Sequence, residues 1–231
     1  MCGRFVLFTT GEGLLAEVGR LPGVREVHAP DGTPGPRYNL APTQTVPVIR
    51  VAESMAQARL DPARWGLLPE WKRDDSGPPL FNARSETVAD KPSFRAAFTK
   101  RRCLIPLDGY YEWHQEEGRK KKTPYYVNLG EGRMLWAAGL WDTGLNQLST
   151  TMLTTDSTGP IAWLHHRLPR FLGEDEVEQW LTGAPEQAGQ LLHPTPERLL
   201  RELRWRPADP AVGNVRNDHP GLLEDTADGL F

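Results

Sequence analysis

Arg101-Arg102-Cys103-Leu104-Ile105-Pro106-Leu107-Asp108-Gly109-Tyr110-Tyr111-Glu112-Trp113-His114 is an aliphatic run and an aromatic run joined by one turn-forming pair, Asp108-Gly109. Aliphatic and aromatic residues in runs of this length favour extended chain, and Asp-Gly is a preferred place to bend it. The stretch therefore reads as a strand bent at Asp108-Gly109. Downstream the same texture repeats: Tyr125 to Leu129, Met134 to Trp141 and Leu148 to Thr155 are further strand candidates with turns between them. Glu116 to Thr123, carrying Arg119-Lys120-Lys121-Lys122, is expected as a hairpin tip. A basic run there is a solvated loop or, with Arg101 and Arg102, the edge of a phosphate-binding surface. The 22 glycines and 21 prolines in 231 residues favour many short strands and turns over a helical bundle.

Helices are few and short in this reading. Gly11 to Arg20 carries Leu14, Leu15 and Val18 on one face, and Pro92 to Lys100 carries Phe94 and Phe98 one turn apart. Glu174 to Leu181 is a third helix, and Thr195-Pro196 to Leu203 a fourth, with Thr195 as N-cap and Pro196 in the first helical position. Arg4 to Phe8 is a short extended run, Pro22 to Pro36 a loop, and Val46 to Val51 a strand that Pro47 places at a sheet edge or a strand start. Around Gly66 and Pro69, Trp65 and Trp71 are either two core residues braced by a turn or a surface on which bases stack. Asn82 and Arg84 share one face of an extended segment, which suits an ordinary surface strand as well as a site. No internal repeat or domain boundary is visible: residues 1–217 read as one domain and 218–231 as a loose tail.

Composition narrows the class. At 39% hydrophobic residues the chain can bury a substantial core. Cys2 and Cys103 alone supply neither a disulfide framework nor a four-cysteine zinc site, which fits a reducing cytoplasm. No run has the length of a membrane span or a secretory signal. A net charge of −3 leaves any nucleic-acid binding to a local basic patch. No cofactor is expected, and His165-His166 lacks the carboxylate or spaced histidine that a metal site needs.

The most reactive group lies at the start, in Met1-Cys2-Gly3-Arg4-Phe5. The small second residue marks Met1 for removal, by an aminopeptidase or by the protein itself. Cys2 would then carry a free α-amine and a thiol, with ordinary pKa values of about 8 and 8.5. Such a 1,2-aminothiol condenses with an aldehyde to an imine, and the thiol closes it to a thiazolidine, far more durable than an open Schiff base. The plain alternative is a small buried cysteine. Glu112, with aromatic neighbours on both sides, suits proton transfer, since apolar surroundings favour the neutral carboxyl. His165, His166 and Arg167 form a second polar island fit for acid/base chemistry or phosphate contact.

Cys2-Gly3-Arg4-Phe5, Tyr38-Asn39-Leu40-Ala41-Pro42, Trp65-Gly66-Leu67-Leu68-Pro69, Asn82-Ala83-Arg84-Ser85-Glu86-Thr87, Gly109-Tyr110-Tyr111-Glu112-Trp113, His165-His166-Arg167-Leu168-Pro169 and Val212-Gly213-Asn214-Val215 stand in one order. Together they closely resemble the SRAP family, the SOS response-associated peptidase or abasic-site processing proteins. His166 and Leu168 depart from the family's usual Asp and Met; the motif register points to His165 as the functional histidine. The resemblance implies a single α+β domain on a curved, barrel-like antiparallel β-sheet with short peripheral helices. It implies a monomer that crosslinks to abasic sites in single-stranded DNA through Cys2, cytoplasmic and nucleoid-associated when bound. It further implies Asn82 orienting the sugar, Glu112 and His165 transferring protons, Arg4, Arg84 and Arg167 near phosphates, and Pro42, Trp71, Trp113 and Thr154 in DNA contact. An N-terminal-nucleophile amidase and a non-covalent single-stranded DNA binding module are the competing readings.

Overall fold

The extended run 102–114 is divided at Asp108 into two strands that enter different sheets. The computed structural model describes residues 2–52, 54–118 and 120–224. In chain order these form β1 (Arg4–Leu7), α1 (Gly11–Gly19), β2 (Glu26–His28), β3 (Arg37–Leu40), β4 (Thr45–Val51), β5 (Gln57–Trp65), β6 (Asn82–Arg84), α2 (Arg95–Lys100), β7 (Arg102–Leu107) and β8 (Gly109–His114). There follow β9 (Thr123–Leu129), β10 (Leu135–Asp142), β11 (Ser149–Asp156), β12 (Arg167–Pro169), α3 (Glu174–Thr182), α4 (Pro185–Gly189), α5 (Glu197–Glu202) and β13 (Leu203–Pro207).

Strands β13-β9-β8-β1-β3 make one antiparallel sheet. In the other, β11-β10-β7-β4-β5 pair in sequence, and β11 returns to lie parallel on β5, Ser149 beside Arg64 and Thr150 beside Trp65. That last pairing closes the five strands on themselves, which removes their edges. The result is an α+β domain on curled sheets with short helices outside. Three pairings, β2–β5, β5–β11 and β6–β11, are parallel in an otherwise antiparallel arrangement.

The bend itself has a local cause. The Asp108 carboxylate accepts from Phe8 N (2.6 Å), Thr9 N (2.8 Å) and Thr9 Oγ1 (2.6 Å), so it ties the end of β1 to the junction of β7 and β8. Gly109 follows because a Cβ there would come within 2.5 Å of the Tyr126 ring, closer than any side chain could stand. The main core fills the closed sheet and the space under α1 and α3; fully buried Trp65 meets Phe5 edge-on at 5.0 Å and Phe81 at 5.9 Å. A second cluster, Val6, Tyr111, Tyr126, Ala208, Val212 and Leu222, covers the opposite face of the five-stranded sheet.

Several expectations change. Trp65 is core while Trp71 is 63% exposed, so the two tryptophans take one alternative each. Pro47 does not sit at a sheet edge: β4 lies between β5 and β7, and Pro47 opposes Pro62 near the strand start, where neither residue has an N–H to leave unpaired. The 22–36 segment contains β2, which borrows its pairing from β5. Strand β5 went unread because Asp61 and Pro62 interrupt it; Asp61 is buried but neutralised by Arg50 (2.6 Å) and Arg59 (2.6 Å). Helix α4 and strand β13 also lacked a sequence signal. Thr195 does not cap α5: its hydroxyl accepts from Phe171 N (3.0 Å) and donates to Pro169 O (3.2 Å), so the helix begins later, at Glu197.

The tail expected from residue 218 begins later as well. Asp218 accepts from Tyr38 N (2.6 Å) and Asn39 N (3.1 Å) and pairs with Arg37, while Leu222 is fully buried; residues 225–231 lie outside the described residues. Replacing Asp218 by Ala strands those two amides and should cost about 2 kcal/mol. At about 2–4 °C per kcal/mol for a domain of this size, a thermal melt would fall by roughly 4–8 °C. An unchanged melt would return Asp218 to the tail.

Candidate active site

Cys2 precedes β1, whose antiparallel register with β8 sets Arg4 beside Tyr111 and Phe5 beside Tyr110. Residues before Arg4 therefore run alongside those after Tyr111, toward Glu112 and Trp113. Cys2 is fully buried, its Sγ 3.7 Å from Arg4 O and its carbonyl receiving Asn82 Nδ2 at 2.7 Å. Asn82 is delivered by β6, which rides parallel on β11 with Asn82 beside Met152 and Arg84 beside Thr154. Among the described residues no partner meets the buried Asn82 Oδ1, which leaves an acceptor next to Cys2.

Glu112 lies buried on β8, and its Oε1 accepts from Trp113 N at 3.2 Å. Its charge reaches both neighbours. Burial raises the Cys2 thiol far above its ordinary pKa and the Glu112 carboxylate pushes the same way, so the sulfur is held as S–H in the chain that carries Met1. Burial lowers the His165 imidazole and Glu112 opposes that shift. His165 Nδ1 lies 3.0 Å from both Arg167 N and Arg167 O. The neutral ring can accept from the amide and the protonated ring can donate to the carbonyl, so both forms are held in one orientation. His166 is exposed and stacks on His165 with ring centroids 4.3 Å apart.

Cys2, Asn82, Glu112 and His165 thus come from four separate segments to one place. The expected DNA-contact residues divide. Arg84 is exposed on the same strand as Asn82. Arg4 lies over the Trp113 ring at 5.8 Å, with Nη1 on Asn39 Oδ1 (2.9 Å) and Val212 O (2.6 Å) and Nη2 on Gly213 O (3.3 Å). Pro42 and Trp113 are half-buried. Arg167 is placed differently from a phosphate contact: buried, it grips Glu86 (2.7 and 2.9 Å), Asp156 (2.7 Å) and Thr154 O (2.5 Å). In this state its charge is already neutralised, and it braces β12 behind His165. Thr154 has no exposed surface. Trp71 lines a separate cavity of about 220 Å³ with Glu70, Ala96, Arg101 and Asp142.

Sequence reasoning assigned no role to Asn39, Glu86 or Asp156. Asn39 and Glu86 stood inside motifs it quoted, which was the available signal; Asp156 had none. Asn39 Nδ2 donates to Val212 O (3.1 Å), Asn214 O (3.1 Å) and Asn217 O (2.8 Å), so it joins the chain's end to Arg4 and hence to the site.

The family model described as SOS response associated peptidase (SRAP) matches residues 1–215. Abasic site processing protein YoqW of Bacillus subtilis (strain 168) is 30% identical over 233 residues, 97% of this chain and 99% of its own. Abasic site processing protein YoaM of the same organism is 32% identical over 203 residues, 84% of this chain and 86% of its own. A crystal structure of a Bacteroides thetaiotaomicron protein shares the fold, with a TM-score of 0.74 at 23% identity over 91% of this chain and 93% of that one. A match running through every motif-bearing strand, on a shared fold, makes this chain a member of the SOS response associated peptidase (SRAP) family.

Proposed function

We propose that the protein captures abasic sites in single-stranded DNA through Cys2, forming a thiazolidine crosslink once Met1 is gone. The convergence of Cys2, Asn82, Glu112 and His165 is the observation that carries this reading, and the names of the relatives agree with it. The ring-opened sugar presents an aldehyde. The Cys2 α-amine adds to it and water leaves, giving an imine; the Sγ–H then adds across C=N, sulfur to carbon and proton to nitrogen. A thiol kept protonated by burial favours amine attack first, whereas an amidase would need the thiolate at once. His165 donates a proton to the sugar ring oxygen as the ring opens, Glu112 relays protons between amine, imine and thiol, and Asn82 holds the Cys2 carbonyl. The direct test is incubation with an unpaired abasic oligonucleotide, scored for an adduct that survives denaturation; its absence with protein lacking Met1 overturns the reading.

A pH profile isolates His165. Its lowered pKa puts the donating imidazolium mostly below about 6.5, while the amine is free mostly above about 8. The product of the two populations is then nearly flat between those values and falls outside them. Without His165 the acid limb disappears, so His165→Ala should slow crosslinking about 100-fold near pH 6 and much less above pH 8. A deficit of equal size at every pH would remove His165 as proton donor.

A further inference from the structure

Glu112 shares its sheet face with an aromatic patch that the chemistry above leaves unused. By the alternation of β8 and β9 and their register, His114, Tyr125 (opposite Glu112) and, through Val127, Trp205 on β13 lie on that face. Trp163, two residues before His165, covers them: its ring centroid is 4.9 Å from His114, 5.0 Å from Tyr125 and 6.2 Å from Trp205. His114 Nδ1 lies 3.2 Å from Leu164 O, which fixes the loop leading to His165 against the patch. Trp163 and Trp205 remain 41% and 37% exposed, large apolar surfaces that the core does not claim.

We propose that this patch is a stacking surface for unpaired nucleobases adjacent to the captured sugar. The inference rests on the reading above in taking unpaired DNA as substrate. Two features favour bases over a protein partner. The patch begins at His114, two strand residues or about 7 Å from Glu112, so a nucleotide neighbouring the reacting sugar reaches it directly. Its far border is basic: Thr123, opposite His114, follows exposed Lys120, Lys121 and Lys122, and the hairpin sequence carries Arg119 with these three lysines against Glu116 and Glu117. Aromatic faces beside a cationic rim match the flat bases and phosphates of a single strand and read no particular sequence.

The test compares Trp163→Ala, Trp205→Ala and Trp163→Phe with the parent on a lesion-centred trimer, a lesion-centred undecamer and an intact oligothymidylate. Each alanine variant should weaken half-saturation of crosslinking on the undecamer, and anisotropy-measured binding of oligothymidylate, by about tenfold. The trimer, too short to cover the patch, should change by less than about twofold, and Trp163→Phe should keep most of the affinity because a ring remains. Undecamer and oligothymidylate affinities within about twofold of the parent would overturn the proposal and return the patch to a protein partner. Equal losses on trimer and undecamer would also overturn it, since they would mean a distorted His165 loop. If the parent forms no adduct at all, capture fails as a function, while the oligothymidylate measurement still decides the patch.

Discussion

Cys2→Ser should leave almost no DNA adduct that survives heat and denaturant, yet borohydride added during the reaction should restore a clear one. Serine keeps the α-amine and nearly the same volume, so imine formation proceeds in the same buried corner, held by Asn82 at 2.7 Å. What it lacks is the sulfur that closes the ring; oxygen closes a much less stable one, and the imine hydrolyses on denaturation. Borohydride adds hydride to the imine carbon and leaves a secondary amine that cannot revert. An amidase gives neither adduct, because there the sulfur attacks a carbonyl and the amine serves only as base. A serine variant that forms as much heat-stable adduct as the parent refutes the thiazolidine, and a parent that retains Met1 and still crosslinks refutes the role of the amine.

The largest effect on stability is expected at Glu176. Arg170 is completely buried, and its guanidinium bonds Glu176 Oε1 at 2.7 Å and Oε2 at 3.2 Å, Leu191 O at 2.9 Å and Phe171 O. Glu176 Oε2 also accepts from Gly173 N at 2.9 Å at the start of α3. Glu176→Ala leaves a guanidinium charge in the core without its counter-ion, which costs about 3–5 kcal/mol, or roughly 10 °C in melting temperature. The control is Glu197, whose pair with Arg201 has side chains 69% and 71% exposed. Water already screens that pair, so Glu197→Ala should cost no more than about 0.5 kcal/mol. Equal losses in the two variants would show that burial does not govern these ion pairs.

Residue order alone determined the bent strand at Asp108-Gly109, the strands that follow it, helices α1 and α3, and the identity of the four reactive side chains. Each depends on neighbours close in sequence: an aliphatic run, a turn pair, a face of a helix, a cysteine beside the initiator. The tertiary structure decided what long-range pairing controls. Strand β5 carries a buried aspartate that only Arg50 of the neighbouring strand makes tolerable. Arg167 looked like a cation free for phosphate until folding brought Glu86, 81 residues away, against it. Trp65 and Trp71 are alike as residues, and only the closure of β11 onto β5 buries one while the other stays in water. Local pattern reports which residues want burial or charge; which partner supplies it is set by sheet register across the whole chain, and no local window contains that information.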